Sequence, residues 1–295
     1  MIEEQKFSYG KTFLLGFGFF AVMVAWSVYN SFVPLFLANR FNLNPAAIGF
    51  FMTLDNIAAL LLQPLIGSLS DRTRTKIGRR LPFMLVGAPI AAIAFFFAPV
   101  VAVPILNIPA DARLPLFIAC TMTFMLAMAI WRTPVVALMP DVTPSKFRSQ
   151  ANGVINFMGG IGSIIAFLIG SKLYSIKPQY PFWLASVLIL VGVLMVFFFV
   201  REPKIYYENP NLEKPNLWKS LVQIFRDKQH NAIRIFLAIF FWFVAMNAIE
   251  TFITLYANHS LGLSEARSVS LMTLNSLAFV IMALPAGFIG GKIGR

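Results

Sequence analysis

The sequence predicts an all-α membrane protein, and three observations carry that prediction. Hydrophobic residues make up 58% of the 295 residues and charged residues only 12%, which exceeds the hydrophobic share of ordinary soluble domains. Eight long runs contain at most one Asp, Glu, Lys or Arg each, and a helix needs about 20 apolar residues to cross the roughly 30 Å hydrocarbon core. The third observation is a repeat at a constant offset of 220 residues.

The eight runs are the predicted spans, numbered 1 to 8 in chain order. Five contain no charged residue, namely 12–38 (span 1), 81–110 (span 3), 149–171 (span 5), 178–200 (span 6) and 268–291 (span 8). Each of the other three contains one: Asp55 in 41–70 (span 2), Arg132 in 114–140 (span 4) and Glu250 in 235–264 (span 7).

The distribution of Lys and Arg predicts the orientation of the spans. With the N-terminus inside the cell, 18 of the 24 basic residues lie in inner segments and five in outer segments. Short cytoplasmic loops carry such an excess. We therefore expect a multi-pass plasma-membrane protein with a cytoplasmic N-terminus. The net charge of +12 then needs no nucleic-acid partner, because inner loops account for it.

The repeat predicts the arrangement of the spans. Positions equivalent at the 220-residue offset are Leu35, Leu43, Ala46, Met52, Thr53, Leu54, Ala58 and Gly67, which recur as Leu255, Leu263, Ala266, Met272, Thr273, Leu274, Ala278 and Gly287. Spans 1 and 2 thus correspond to spans 7 and 8, which indicates two parallel six-helix repeats. We expect 1–200 to form the N-terminal half, 201–234 a cytoplasmic linker, and 235–295 the first two helices of an incomplete C-terminal half. Eight of an expected twelve helices would then be present, as in a C-terminally truncated fragment.

A glycine and arginine motif follows span 2 and begins again after span 8. The first copy has Gly67, Asp71, Arg72, Gly78, Arg79 and Arg80, and the second has Gly287, Lys292, Gly294 and Arg295. This pair resembles the loop signature of the major facilitator superfamily, which implies a helical-bundle transporter in which the loops act in gating. Physically, we expect close packing at Gly67 and a tight turn at Gly78.

A narrower resemblance extends through the first half. The segment 63–83 and the sequence Arg132-Thr133-Pro134 with its continuation to Asp141 are similar to the sucrose:proton (glycoside:cation) symporter branch. That resemblance implies symport of a sugar or related polar solute with H⁺ or Na⁺. The second loop departs from the pattern, since Gly291 stands where the first has Asp71.

Charged and amide side chains within the spans are the candidate transport site. A carboxylate in a membrane span is costly unless it faces a wet cavity or a partner, so Asp55 and Glu250 are candidate coupling or substrate groups and Arg132 a candidate anchor. The repeat pairs Asn30 with Glu250 and Asp55 with Asn275 as one polar layer. The other pocket candidates are Asn152, Asn156 and Asn247, with Trp26 and Tyr29 as surfaces for a sugar ring. The alternative interpretation of each of these residues is that it packs or hydrogen-bonds between helices.

Several classes of protein are disfavoured by the sequence. It has no phosphate-binding Gly-x-x-x-x-Gly-Lys-Ser/Thr loop and no His and Cys cluster, which disfavours an ATP-driven pump or a metalloenzyme. We expect no enzyme activity, no cofactor and no metal. The expected partners are a sugar-like small molecule, H⁺ or Na⁺ and the lipid bilayer, and the expected state is a monomer. Two alternatives stay open: an exporter of amphipathic compounds, and a non-transporting membrane fragment or scaffold.

Overall fold

A computed structural model describes residues 8–103, 106–202 and 231–293. Eight helices in these ranges are long and apolar enough to cross a membrane, as the sequence predicted. Most of the predicted linker, and Gly294 and Arg295 of the second loop, lie outside the described residues, as do the side chains of Asp55 and Lys292.

The helix bounds follow the predicted runs closely. Spans 1 to 4 are Tyr9–Asn39, Pro45–Arg72, Leu81–Ala102 and Ala110–Val142. Span 5 is Arg148–Ile176 and contains a π-helical turn at Ile165–Ile169, and span 6 is Tyr180–Phe199. Span 7 is Asn231–His259, and span 8 consists of Glu265–Ser270 and Met272–Ile293.

The 220-residue repeat is reproduced in the turns that join spans 1 to 2 and 7 to 8. Asn44 and Ser264 cap the helices that follow them. Asn42 and Gly262, again 220 residues apart, both have positive φ, at 52° and 66°. Both turns are closed by the equivalent hydrogen bond, from Leu43 N to Leu37 O at 3.0 Å and from Leu263 N to Ala257 O at 3.1 Å. The two copies therefore share backbone geometry as well as sequence.

Span 1 is the central helix of the described bundle. It packs closely on spans 5 and 6 because glycines on those spans face its backbone: a Cβ at Gly162 would lie 2.6 Å from Phe20 O, and one at Gly192 2.7 Å from Phe17 O. Spans 3 and 4 pair through Gly87, which faces Trp131. Another side of span 1 faces span 7, and Asn30 and Asn39 lie on that side.

The backbones of spans 5 and 8 lie close together where Gly153 faces Gly287, near the end of span 8. A Cβ at Gly287 would lie 2.9 Å from Gly153 Cα. Ser149 Oγ donates a hydrogen bond to Gly287 O at 3.2 Å. The close packing expected at Gly67 is instead seen at its repeat equivalent Gly287, because a Cβ at Gly67 would meet only Thr133 Cγ2, at 3.7 Å.

Candidate functional site

Asn30 and Glu250, which the repeat makes equivalent, contact each other between spans 1 and 7. The Asn30 amide donates from Nδ2 to Glu250 Oε2 at 3.4 Å. Both side chains are half-buried. A span carboxylate is thus matched with an amide donor from the other copy of the repeat, which lowers the cost of placing it inside the membrane.

The larger of two cavities beside this pair has a volume of about 470 Å³ and lies between spans 1, 2, 4 and 7. Trp26, Asn30 and Glu250 form part of its wall. Its remaining polar lining consists of Thr53, Asn56, Arg132, Asn247 and Thr251. We call it the central cavity. Its size and convergent polar groups are those of a small-molecule site.

The second cavity, of about 260 Å³, lies on the other side of the same pair, between spans 1, 5, 7 and 8. Trp26, Asn30 and Glu250 line it as well. Its further polar residues are Ser27, Ser31, Ser163, Asn275 and Ser276. Ser27 Oγ donates to Ser163 Oγ at 2.9 Å. The predicted polar layer is therefore assembled in space for Asn30, Glu250 and Asn275.

Arg132 lies in the wall of the central cavity, where its guanidinium carbon is 5.4 Å from the centre of the Trp26 ring. An arginine held against an aromatic face gains cation–π energy and presents a planar set of N–H donors. Glu250 lines the same cavity. The cavity thus offers both hydrogen-bond donors and a carboxylate acceptor to a polar solute.

Asp55 occupies span 2, and its side chain lies outside the described residues. Its sequence neighbours Thr53 and Asn56 line the central cavity.

Tyr29 is placed in the packed core instead of beside a cavity. Its side chain is fully buried, its ring stacks on Phe124 with centroids 5.6 Å apart, and its hydroxyl donates to Met125 Sδ at 2.9 Å. Tyr29 and Asn30 are adjacent in sequence but lie on different faces of span 1, because a helix turns about 100° per residue.

Asn152 and Asn156 line a separate cavity of about 260 Å³ between spans 5 and 8. Ser149, Gly153 and Gly287 lie in the same wall. These two amides therefore lie beside the contact between spans 5 and 8, whereas Asn247 and Arg132 face the central cavity.

Side chains of the loop after span 2 form a network of salt bridges with Asp141 of span 4. Asp141 accepts from Arg79 Nη2 at 2.7 Å and from Arg80 Nε at 3.0 Å. Arg80, which is only 5% exposed, also pairs with Asp71. Arg72 occupies the last turn of span 2, where a cation is favoured by the helix dipole.

Glu202, just after span 6, anchors the same loop and was missed by sequence reasoning. Its carboxylate accepts from the backbone N–H groups of Arg79, Arg80 and Leu81 at 2.8, 2.9 and 2.9 Å. Gly78 makes this possible, because it has φ 122° and a Cβ there would lie 2.5 Å from Glu202 Cδ. The only sequence signal was the position of an acidic residue directly after a span.

A second polar cluster joins the two copies of the repeat at the opposite ends of the spans. Asn39 Nδ2 donates to Glu265 Oε1 at 2.6 Å and to Asn258 Oδ1 at 3.2 Å. The Tyr174 hydroxyl donates to Glu265 Oε2. Spans 1, 5, 7 and 8 are therefore held together at this face, which we call the clasp.

Two further residues of span 7 were also missed by sequence reasoning. Trp242 and Met246 line both the central and the second cavity. They stand eight and four residues before Glu250, so helical periodicity places them on its face. That periodicity was the available signal.

Comparison with known proteins places the chain in a family. The profile of the Major Facilitator Superfamily matches residues 15–295. Multidrug resistance protein 2 of Bacillus subtilis is 25% identical over 163 residues, which are 55% of this chain and 41% of that protein. An uncharacterized symporter of Synechocystis is 26% identical over 201 residues, which are 64% of this chain and 36% of that protein.

The general alpha-glucoside permease of Schizosaccharomyces pombe is 29% identical over 160 residues, which are 50% of this chain and 29% of that protein. The matched regions thus span about two fifths or less of the length of these relatives.

Proposed function

Because this chain belongs to the major facilitator superfamily, we propose that it is a secondary active transporter that couples H⁺ or Na⁺ to the symport of a sugar or related polar solute. Its family, and the eight apolar helices among the described residues, make it an integral, multi-pass membrane protein and point to a transporter rather than an enzyme. The observation that carries the proposal is the Asn30 to Glu250 contact, which places a carboxyl between the two copies of the repeat and in the wall of both cavities.

The proposed mechanism is alternating access between two halves. We assign residues 1–200 to one half and 235–295 to the other, with 201–234 as the predicted cytoplasmic linker between them. Substrate sites in such repeats lie at the interface between halves near the middle of the membrane. The clasp and the contact between Gly153 and Gly287 lie at opposite ends of that interface, so each is suited to closing one side.

The coupling role is assigned to the carboxyl groups of Glu250 and Asp55. Binding of H⁺ or Na⁺ neutralises a span carboxylate, which lowers the cost of moving the loaded site through the membrane interior. Asn30 stabilises the charged form of Glu250 by donating a hydrogen bond. Release of the cation restores the charge, and the carboxylate again requires a partner or water.

Solute binding is assigned to the central cavity. Arg132 supplies N–H donors, Asn247 and Asn56 supply amide groups, and Trp26 supplies an apolar face for a sugar ring. The similarity to an alpha-glucoside permease supports a sugar, and the similarity to a symporter supports coupled uptake. We propose that the protein acts as a monomer in the plasma membrane with its N-terminus in the cytoplasm.

A second candidate function is export of amphipathic compounds. The central cavity also contains Trp242, Phe243, Met246 and Phe252, and such aromatic and thioether surfaces bind varied apolar molecules. The similarity to a multidrug resistance protein is consistent with this function.

Transport assays in proteoliposomes separate the two candidates. Symport predicts that an inward H⁺ or Na⁺ gradient drives accumulation of radiolabelled maltose or sucrose, whereas export predicts gradient-driven movement of ethidium in the opposite direction. The Asp55→Asn variant tests the coupling role: unchanged pH-dependent accumulation would remove Asp55 from the mechanism. Ethidium transport without sugar transport would replace symport by export.

A further inference from the structure

Two cavities outside the proposed transport site meet at the loop face, which we define as the end of the bundle that carries the loop between spans 2 and 3. The smaller, of about 450 Å³, lies between the ends of spans 1, 4 and 6. The larger, of about 760 Å³, lies between span 6 and the loop. Val200 and Arg201 line both cavities, so the two are adjacent at the end of span 6.

The lining of these cavities is strongly basic. Lys11 and Arg201 line the smaller cavity. The larger adds Arg74 and Lys76, together with Arg79, which is paired with Asp141. The described lining residues include a single carboxylate, that of Glu202, which accepts hydrogen bonds from three backbone amides. An anionic ligand is therefore favoured here.

The depth of the smaller cavity and its apolar wall indicate the kind of anion. It opens where spans 1 and 6 reach the predicted membrane boundary, and Leu15, Val142 and Phe199 form its apolar side. The hydroxyl-bearing residues Thr12 and Thr143 lie beside the cations. A phosphodiester headgroup with attached acyl chains matches this combination, because its negative charge lies at the membrane surface and its apolar tail begins directly below.

We propose that the smaller cavity binds the headgroup of an anionic phospholipid, with the phosphate between Lys11 and Arg201 and the acyl chains along the exposed side of span 6, which carries Phe198 and Phe199. Basic pockets between membrane helices at the cytoplasmic surface bind anionic headgroups in this way. Arg201 also adjoins the loop that Glu202 anchors. The site therefore connects the composition of the membrane to the position of that loop.

The test is lipid retention measured by native mass spectrometry on protein reconstituted with equal amounts of phosphatidylglycerol and phosphatidylcholine. Wild type is expected to retain phosphatidylglycerol preferentially. The Lys11→Gln/Arg201→Gln variant is expected to bind phosphatidylglycerol roughly 30-fold more weakly, because it loses two basic contacts to the anionic headgroup. Each single variant is expected to weaken it roughly fivefold.

The matched control is Lys172→Gln/Arg267→Gln, which removes one lysine and one arginine that are exposed at the other face. It is expected to retain phosphatidylglycerol as wild type does. The charge-conserving Lys11→Arg/Arg201→Lys variant tests the assignment if the neutral double variant does not fold, and it is expected to keep most of the preference.

Three outcomes overturn the proposal. In the first, the Lys11 and Arg201 variants retain phosphatidylglycerol as strongly as wild type. In the second, the control loses it to the same extent, which would indicate a general charge effect. In the third, inorganic phosphate displaces phosphatidylglycerol at equal concentration, which would identify a site for free phosphate instead of a lipid.

Discussion

The contact between spans 5 and 8 predicts different effects for two substitutions that are chemically identical. Gly67 and Gly287 are equivalent in the repeat, and each lies within a helix. An added Cβ meets only Thr133 Cγ2 at 3.7 Å at Gly67, but it meets Gly153 Cα at 2.9 Å at Gly287. The Gly67→Ala variant is thus a matched control for Gly287→Ala.

The expected difference follows from these distances. Carbon atoms pack best at about 3.5 to 4.0 Å, so spans 5 and 8 must separate by roughly 0.6 to 1.1 Å in Gly287→Ala. Such overpacking costs about 1 to 3 kcal/mol. The gain in helix propensity from an alanine within span 8, about 1 kcal/mol, offsets part of this cost. With about 2 kcal/mol as the middle of the packing cost, the net cost is about 1 kcal/mol, so the equilibrium for opening span 8 is expected to differ roughly fivefold between the two variants.

Hydrogen exchange of backbone amides in lipid nanodiscs measures this opening. Peptides from span 8 are expected to exchange faster in Gly287→Ala than in Gly67→Ala by that factor, while span 3 peptides remain unchanged because span 3 pairs with span 4. Equal exchange of span 8 in the two variants would refute the packing argument. Slower exchange in Gly287→Ala would show that helix propensity outweighs the steric contact.

Three further substitutions have expected outcomes. Glu202→Gln is expected to lower the free energy of unfolding in mixed micelles by about 1 to 3 kcal/mol, because a neutral amide accepts hydrogen bonds from the loop N–H groups more weakly. An unchanged free energy of unfolding would contradict the anchoring role of Glu202. Tyr174→Phe removes the hydroxyl donor to Glu265 and is expected to speed hydrogen exchange at the start of span 8, and unchanged exchange would show that the clasp does not depend on it. Arg132→Lys loses the planar guanidinium beside Trp26 and is expected to raise the KM for sugar uptake roughly 10-fold, so an unchanged KM would exclude Arg132 from solute binding.

The sequence was sufficient to predict the spans and the equivalence of Asn30 and Glu250 in the repeat. Long uncharged runs determine where helices cross the bilayer, whatever their packing. The constant offset then relates positions of equal depth in the two copies, and the structure brings one such pair within 3.4 Å. The repeat therefore indicates which residues of the two copies lie at equal depth in the membrane.

Packing partners were less accessible from the sequence. Tyr29 and Asn30 are adjacent, but a helix turns about 100° per residue, and nothing local indicates which face of a uniformly apolar span meets lipid, core or cavity. Glu202 contacts a loop more than 120 residues away, so only the fold reveals its role. Gly67 and Gly287 likewise differ through their neighbours, since their own sequence contexts are similar.

The most direct test of the central claim is gradient-driven sugar accumulation by the Glu250→Gln variant in proteoliposomes. Asp111→Asn is the control, because Asp111 is exposed at the start of span 4 and lines neither cavity beside Glu250. We predict that Glu250→Gln abolishes accumulation of maltose or sucrose driven by an imposed H⁺ or Na⁺ gradient and retains counterflow exchange, whereas Asp111→Asn accumulates as wild type does. Full gradient-driven accumulation by Glu250→Gln would contradict the proposal that this carboxyl couples the cation to the solute.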